Sequence, residues 1–154
     1  MIERNDFMKR FLSIFIMMLI VFILSACGNK KALSKSEISN KLSHNGFIIT
    51  DVTNQIEDSN ISYVSSANNN KFQLEYYVFV DENMAKKAYE SNKESFEENK
   101  TKGKEKNNGT YQKYTQQLSD TYNLISRVDN TLIYSSVNIE YKKDLNKIIK
   151  ELGY

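Results

Sequence analysis

The sequence has 154 residues and a formal net charge of +2, from 21 Lys and Arg against 19 Asp and Glu, with both signs interspersed along the chain. Because the charges are balanced and interspersed, the chain lacks the basic patch of a nucleic-acid-binding protein, and that class is excluded. The single cysteine has no partner for an intrachain disulfide, which excludes a disulfide-stapled scaffold. With one histidine and one cysteine, the chain also lacks the Cys/His clusters that zinc sites use.

The N-terminal segment is organised as a secretory signal peptide. The basic residues Arg4, Lys9 and Arg10 outnumber the acidic residues Glu3 and Asp6, and residues 11–24 are apolar apart from one serine. A helix over residues 11–24 would be about 21 Å long at about 1.5 Å per residue, whereas the core of a bilayer is roughly 30 Å thick. The pattern therefore predicts a signal peptide over residues 1–26 and not a permanent membrane span.

The only cysteine follows this segment directly. Leu24, Ser25, Ala26 and Cys27 resemble the lipobox of bacterial lipoproteins, in which an aliphatic and two small residues precede a cysteine. The resemblance implies cleavage between Ala26 and Cys27 and transfer of a diacylglyceryl group to the Cys27 sulfur. Two acyl chains anchor a protein stably, where one gives only marginal binding. We therefore expect a protein anchored to the extracytoplasmic side of the cell membrane. The alternative for Cys27 is a buried thiol in an uncleaved anchor.

A polar tether over residues 27–33 leads to the first predicted helix, over about residues 35–44. Ser34 followed three residues later by Glu37 matches a capping box, which marks the start of a helix. Gly46 is suited to end it, because glycine accepts the left-handed conformation that often follows a helix.

Three predicted strands follow, each rich in β-branched or aromatic residues: residues 46–56, 61–66 and 71–80. On the first strand, Ile48, Val52 and Ile56 are expected to share one face. The third strand alternates, and its more apolar face is assigned to the core: Phe72, Leu74, Tyr76, Val78 and Val80. Tyr77 lies on the other face and is the preferred contact residue for a ligand or partner if that face is open. The alternative for the tyrosines is packing within the sheet.

The second half of the chain is predicted to begin with a helix over residues 82–100, capped by Asp81. The charged segment over residues 100–109 predicts a mobile loop. Three further strands and a last helix, which ends at Gly153, complete the chain: residues 111–118, 121–128, 131–137 and 140–152.

These elements predict a single α+β domain over residues 34–154, with the order α-βββ-α-βββ-α. Short turns between strands imply antiparallel pairing, and the amphipathic helices are expected to cover one face of the sheet. The expected architecture is therefore a two-layer sandwich. The two βββα halves are loosely parallel in pattern, which an internal duplication would explain.

Three segments of this domain are similar to small uncharacterised lipoproteins of low-GC Gram-positive bacteria: YYVFVDENMAKKAYESN, SRVDNTLIY and KELGY. Abundant Asn, Lys, Ile and Tyr, together with the lipobox, also favour a Gram-positive source. The resemblance implies no activity.

No catalytic or metal site is predicted from the sequence. The only histidine, His44, falls near the end of the first helix, where a basic side chain favours the helix dipole. The serines lack the sequence motifs that surround known serine nucleophiles. The acidic residues do not have the spacing of a calcium-binding loop, and the sequence contains no glycine-rich phosphate-binding loop. No cofactor is expected.

The sequence therefore favours a non-enzymatic lipoprotein module that binds a partner protein, a cell-wall component or a small ligand. The membrane is its expected partner through lipidated Cys27. One alternative is an immunity- or inhibitor-type protein with a dedicated partner. Another is a small hydrolase that uses a pair of carboxylates, whose separation depends on the fold and not on the sequence spacing.

Overall fold

One antiparallel sheet of seven strands organises the computed structural model, which describes residues 30–98 and 100–154. The helices are α1 (Lys35–His44), α2 (Glu82–Glu97) and α3 (Lys142–Glu151). The strands are β1 (Ile48–Asp51), β2 (Ile61–Asn68), β3 (Gln73–Phe79), β4 (Lys104–Asn108), β5 (Tyr111–Gln117), β6 (Thr121–Val128) and β7 (Thr131–Asn138). Their order across the sheet is β1-β2-β3-β7-β6-β5-β4, so β3 and β7 join the two halves of the chain. The predicted α+β class with antiparallel pairing is confirmed.

The predicted starts of α1 and α2 are confirmed by their caps. The Ser34 hydroxyl accepts a hydrogen bond from the Glu37 amide at 3.3 Å, and the Glu37 carboxylate accepts one from the Ser34 amide at 2.8 Å. The Asp81 carboxylate likewise accepts from the Met84 amide at 2.9 Å. Each cap satisfies a backbone donor that has no partner inside the helix, so local sequence is sufficient to set where α1 and α2 begin.

One face of the sheet, here called the α1/α3 face, packs against α1 and α3. The helices contribute a set of apolar side chains with almost no solvent exposure: Ile38, Leu42, Leu145, Ile149 and Leu152. Leu74 and Tyr76 of β3 lie beneath them, also fully buried. The Tyr76 hydroxyl donates to the Leu33 carbonyl oxygen at 2.5 Å, so this buried phenol is satisfied. The face assigned to Leu74 and Tyr76 from the alternation of β3 is therefore confirmed.

The opposite face of the sheet, here called the α2 face, is covered by α2, which contributes Ala85 and Tyr89 to a second buried cluster. The expected two-layer sandwich is therefore wrong, because helices lie on both sides of the sheet. The physical reason is visible in β6, where Leu124 packs into the α1/α3 cluster and its neighbour Ile125 into the α2 cluster. Successive strand residues point to opposite faces, so apolar neighbours require a cover on both.

The segment predicted as a mobile loop contains the edge strand β4. All its side chains are exposed, and it pairs antiparallel with β5 from Lys104↔Thr115 to Asn108↔Tyr111. The element order is therefore α-βββ-α-ββββ-α and not α-βββ-α-βββ-α. The strand forms because β5 presents a row of backbone donors and acceptors, and pairing with them does not require apolar side chains.

Three residues assigned to apolar strand faces are exposed: Ile48 (74%), Ile56 (38%) and Val80 (55%). The first strand is shorter than predicted, because the Asp51 carboxylate accepts from the Thr53 amide and hydroxyl and turns the chain into a short 3-10 helix, Thr53–Gln55. Val80 lies beyond the end of β3, where its amide donates to the Asn60 carbonyl oxygen. Ile48 is the first residue of its strand, whereas Ile56 and Val80 lie outside the strands.

Candidate functional site

A groove of about 240 Å³ lies on the α2 face, between α2 and strands β3 and β7. It is here called the Tyr77 groove, and its walls and floor include Glu75, Tyr77, Phe79, Ala88, Leu132 and Tyr134. The sheet supplies most of these residues and α2 supplies Ala88. The groove is therefore framed by regular secondary structure, which holds its side chains in place more firmly than loops would.

The pairing of β3 with β7 sets the floor of the groove. Glu75 lies opposite Tyr134 and Tyr77 lies opposite Leu132, so these four side chains share the α2 face. The small side chain of Ala88 above them leaves space that a larger residue would fill. Asn92, one turn further along α2, donates from its side-chain amide to the Ala88 carbonyl oxygen at 2.8 Å. That bond leaves the Asn92 carbonyl oxygen as an acceptor in the lining.

Tyr77 holds a defined position in the groove. Its hydroxyl donates to the Glu75 carboxylate at 2.5 Å, and its ring stacks on Phe79 with centroids 6.2 Å apart. Burial raises the pKa of the Tyr77 phenol, and the bond to Glu75 raises it further. Tyr77 is therefore a neutral hydrogen-bond donor, held beside an acceptor that keeps further lone pairs for a ligand.

Tyr134 forms the opposite side of the floor. Its ring stacks on Phe96 of α2 with centroids 5.6 Å apart and an interplanar angle of 26°. Burial, with a smaller effect of the Glu75 carboxylate, raises the pKa of the Tyr134 phenol. The carboxylate of Glu75 thus lies between two aromatic residues that remain neutral.

The charge of the lining has one sign. Glu75 and Asp58 are its ionisable acids, and no Lys, Arg or His is among the described residues that line the groove. Aromatic faces and carboxylates both attract cations, the rings through their quadrupole. The arrangement can therefore hold an apolar group that carries an amine or a guanidinium.

The two residues that the sequence singled out have different outcomes. Tyr77 lines the groove, and α2 covers part of the face whose openness was the condition for its predicted contact role. Cys27 lies outside the described residues. His44 is exposed in the last turn of α1, where it was predicted, and takes no part in the groove.

Sequence reasoning missed Tyr134, Leu132 and Ala88 as groove residues. Tyr134 and Leu132 reach the groove through pairing between strands that are far apart in sequence. Such pairing cannot be predicted from a single sequence. The available signal was the alternation of Leu132 and Tyr134 around Ile133, which assigns the first two to the face opposite the main core.

The described parts of the chain contain no group of three or more His, Cys, Asp or Glu residues that could hold a metal ion. Within residues 30–98 and 100–154, none of the helices combines the length and apolar character needed to span a bilayer. Comparison of the whole chain with protein-family models, curated proteins and solved structures gives no match.

Proposed function

We propose that this protein is a non-enzymatic binding module, anchored through lipidated Cys27 to the extracytoplasmic side of the cell membrane. Its binding site is the Tyr77 groove. The observation that carries the proposal is the contact of the Tyr77 hydroxyl with the Glu75 carboxylate on an aromatic floor. This lining favours a ligand that presents a cationic group next to apolar surface.

The size of the groove sets the scale of the ligand. Pockets for drug-sized molecules usually have volumes of about 300–1,000 Å³, and the Tyr77 groove has about 240 Å³. It fits a single side chain of a partner protein, such as lysine or arginine, or a small amine of comparable size. A cell-wall component would need to present an amine of this kind.

The chemistry of the lining favours binding over catalysis. The described lining residues include no Ser, Cys, His or Lys that could act as a nucleophile or an amine base. Tyr77 holds its proton because its pKa is raised, and Glu75 accepts that hydroxyl. An ordered donor and acceptor pair of this kind orients a ligand without requiring proton transfer.

Replacing Glu75 with glutamine is expected to weaken binding of an aromatic amine roughly tenfold or more, because a hydrogen bond to a charged group contributes about 1.5–3 kcal/mol. Phenethylamine and the uncharged phenethyl alcohol serve as probes, followed by NMR shifts of amides around Tyr77 and Ala88. In the unmodified protein the amine should bind more tightly than the alcohol, and Glu75→Gln should abolish the difference.

The matched control is Glu94→Gln, which removes the same charge from the exposed side of α2, outside the groove. Tyr77→Phe keeps the ring stacking and should leave the melting temperature almost unchanged while it weakens amine binding. Equal binding of amine and alcohol by the unmodified protein, or equal losses in Glu75→Gln and Glu94→Gln, would contradict the proposed site.

Replacing Cys27 with serine is expected to abolish lipid attachment, because the serine hydroxyl does not replace the thiol that takes the diacylglyceryl group. Metabolic labelling with a fatty acid measures attachment, and membrane fractionation measures location. The unmodified protein should carry label, whereas the variant should remain as an unlabelled precursor or be shed. Label retained by Cys27→Ser would show that the lipobox interpretation is wrong.

A further inference from the structure

A second recess, of about 440 Å³, lies on the α1/α3 face at the edge formed by β4 and β5. It is here called the lysine recess, because five lysines line it: Lys30, Lys104, Lys106, Lys113 and Lys150. The Tyr77 groove lies on the other face of the sheet and has the opposite sign of charge. The two sites therefore select different ligands.

The fold brings these lysines together from β4, β5, α3 and the segment before α1. Lys106 lies opposite Lys113 in the pairing of β4 with β5, and Lys104 lies two residues along the same face. Lys150 comes from α3, and Lys30 from the segment before α1, where its ammonium lies 3.8 Å from the centre of the Tyr111 ring. Like charges directly opposite each other on paired strands are destabilising, so the arrangement calls for a compensating anion.

No such anion is supplied by the described parts of the chain. Lysines elsewhere form ion pairs, as Lys93 does with Glu105 at 2.5 Å and Lys71 with Asp144 at 3.3 Å. None of the five recess lysines forms one with a described residue, and no Asp or Glu is among the described residues that line the recess. The charged side chains that line the recess are therefore all basic.

The lining of the lysine recess also contains uncharged hydrogen-bonding side chains and a lysine whose pKa is lowered. Tyr122 and Asn146 line the recess and are hydrogen-bonded to each other at 3.1 Å. Burial, together with the nearby ammonium groups of Lys30 and Lys106, lowers the pKa of Lys113 to about 8. A bound anion would reverse the electrostatic part of that effect. Several ammonium groups with the Tyr122 hydroxyl beside them suit the multiple oxygens of a phosphate.

We propose that the lysine recess binds a phosphate group, and that the group belongs to the headgroup of an anionic phospholipid in the anchoring membrane. The choice of a lipid rests on the proposed anchor at Cys27. Lys30 is three residues from Cys27, so the chain between them spans at most about 10 Å at roughly 3.3–3.6 Å per residue. The recess is thereby tethered within reach of the headgroups, where basic residues are attracted to an anionic surface.

The test uses the full lipidated protein in nanodiscs of phosphatidylcholine alone or with phosphatidylglycerol. Lysine acetylation is read residue by residue by mass spectrometry, which also verifies the diacylglyceryl adduct on Cys27. Phosphatidylglycerol should reduce acetylation of Lys106 and Lys113 at least threefold. The exposed Lys86 and Lys87 of α2 serve as internal controls and should be unchanged.

Additional arms identify the source of the phosphate and the residues that bind it. Glycerol phosphate and inorganic phosphate are added separately to phosphatidylcholine discs. Protection there equal to that by phosphatidylglycerol would overturn the lipid assignment in favour of a free phosphate. The double variant Lys106→Gln/Lys113→Gln should lose the protection of Lys104 by phosphatidylglycerol, whereas Lys86→Gln/Lys87→Gln should keep it.

The two proposals fail in distinguishable ways. A protein that lacks the adduct on Cys27 would contradict the anchor and would not assemble into the discs. A protein that carries the adduct but shows the same acetylation of Lys106 and Lys113 in both kinds of disc would overturn the lysine recess and leave the anchor intact.

Discussion

Replacing Arg127 with alanine is expected to destabilise the domain by about 3–5 kcal/mol, because the buried Gln112 side chain and two backbone carbonyl oxygens would lose their donor together. Arg127 is 1% exposed although it lies on a strand of the sheet. Its guanidinium donates to the Gln112 side chain at 2.7 Å and to the carbonyl oxygens of Asp129 and Gly109 at 2.8 and 2.5 Å. It also donates to the Glu82 carboxylate at 3.1 Å.

The expected loss comes from the neutral acceptors more than from the ion pair. The Glu82 side chain is 53% exposed, so water can solvate it when the arginine is removed. Glu82→Gln should therefore cost less than about 1 kcal/mol, and it serves as the control. Urea unfolding of Arg127→Ala, Arg127→Met and Glu82→Gln measures the three free energies of unfolding. Equal losses for Glu82→Gln and Arg127→Ala would show that the ion pair dominates and that this account is wrong.

Replacing Leu74 with alanine is expected to cost about 2–5 kcal/mol, the usual range for a large-to-small change that leaves a cavity in a core. Leu74 is fully buried in the α1/α3 cluster, as the second residue of β3 and opposite Ala67 of β2. The neighbouring alanine has no spare side chain with which to fill the space. The free energy of unfolding, measured by urea denaturation, tests the prediction.

Val80 provides the matched control for Leu74. Both residues were assigned to the same apolar face, but Val80 lies beyond the end of β3 and is 55% exposed. Val80→Ala should change the free energy of unfolding by no more than about 0.5 kcal/mol, as exposed substitutions usually do. Similar losses for Val80→Ala and Leu74→Ala would mean that the helices cover this face differently.

The elements that the sequence predicts well are those with local causes. Ser34 and Glu37 cap α1 through bonds within one turn, and Asp81 caps α2 in the same way. The alternation of β3 likewise assigns Leu74 and Tyr76 to the buried side without knowledge of what covers them. Each of these features is decided by residues that are a few positions apart.

Features that depend on distant segments were predicted less well. Strand β4 has no apolar alternation because all its side chains are exposed, and it forms through backbone pairing with β5. The helix on the α2 face was not predicted to cover the sheet, because the packing partners of the apolar neighbours Leu124 and Ile125 come from distant segments. A buried arginine such as Arg127 has no marker in the sequence, since its acceptors come from other strands and turns.

The residues of the candidate site also differ in whether the sequence alone could identify them. Tyr77 could be singled out from its place on the polar side of β3, because strand periodicity needs only neighbouring residues. Its partners Leu132 and Tyr134 could not, since they depend on the pairing of β3 with β7. The lysine recess was missed for a related reason. Lys104 and Lys106 were placed in a loop, and only their pairing with β5 directs them to the same side as Lys113.

The two edges of the sheet have a consequence for how neighbouring copies behave on a crowded surface. An unpaired edge strand can recruit the edge of another molecule and start aggregation. At one edge, β1 is only four residues long, and at the other, β4 carries Lys104 and Lys106 with Glu105 between them. Short length at one edge and charge at the other both disfavour strand addition. If the proposed anchor concentrates copies on a membrane, these copies would therefore remain separate domains instead of joining into extended sheets.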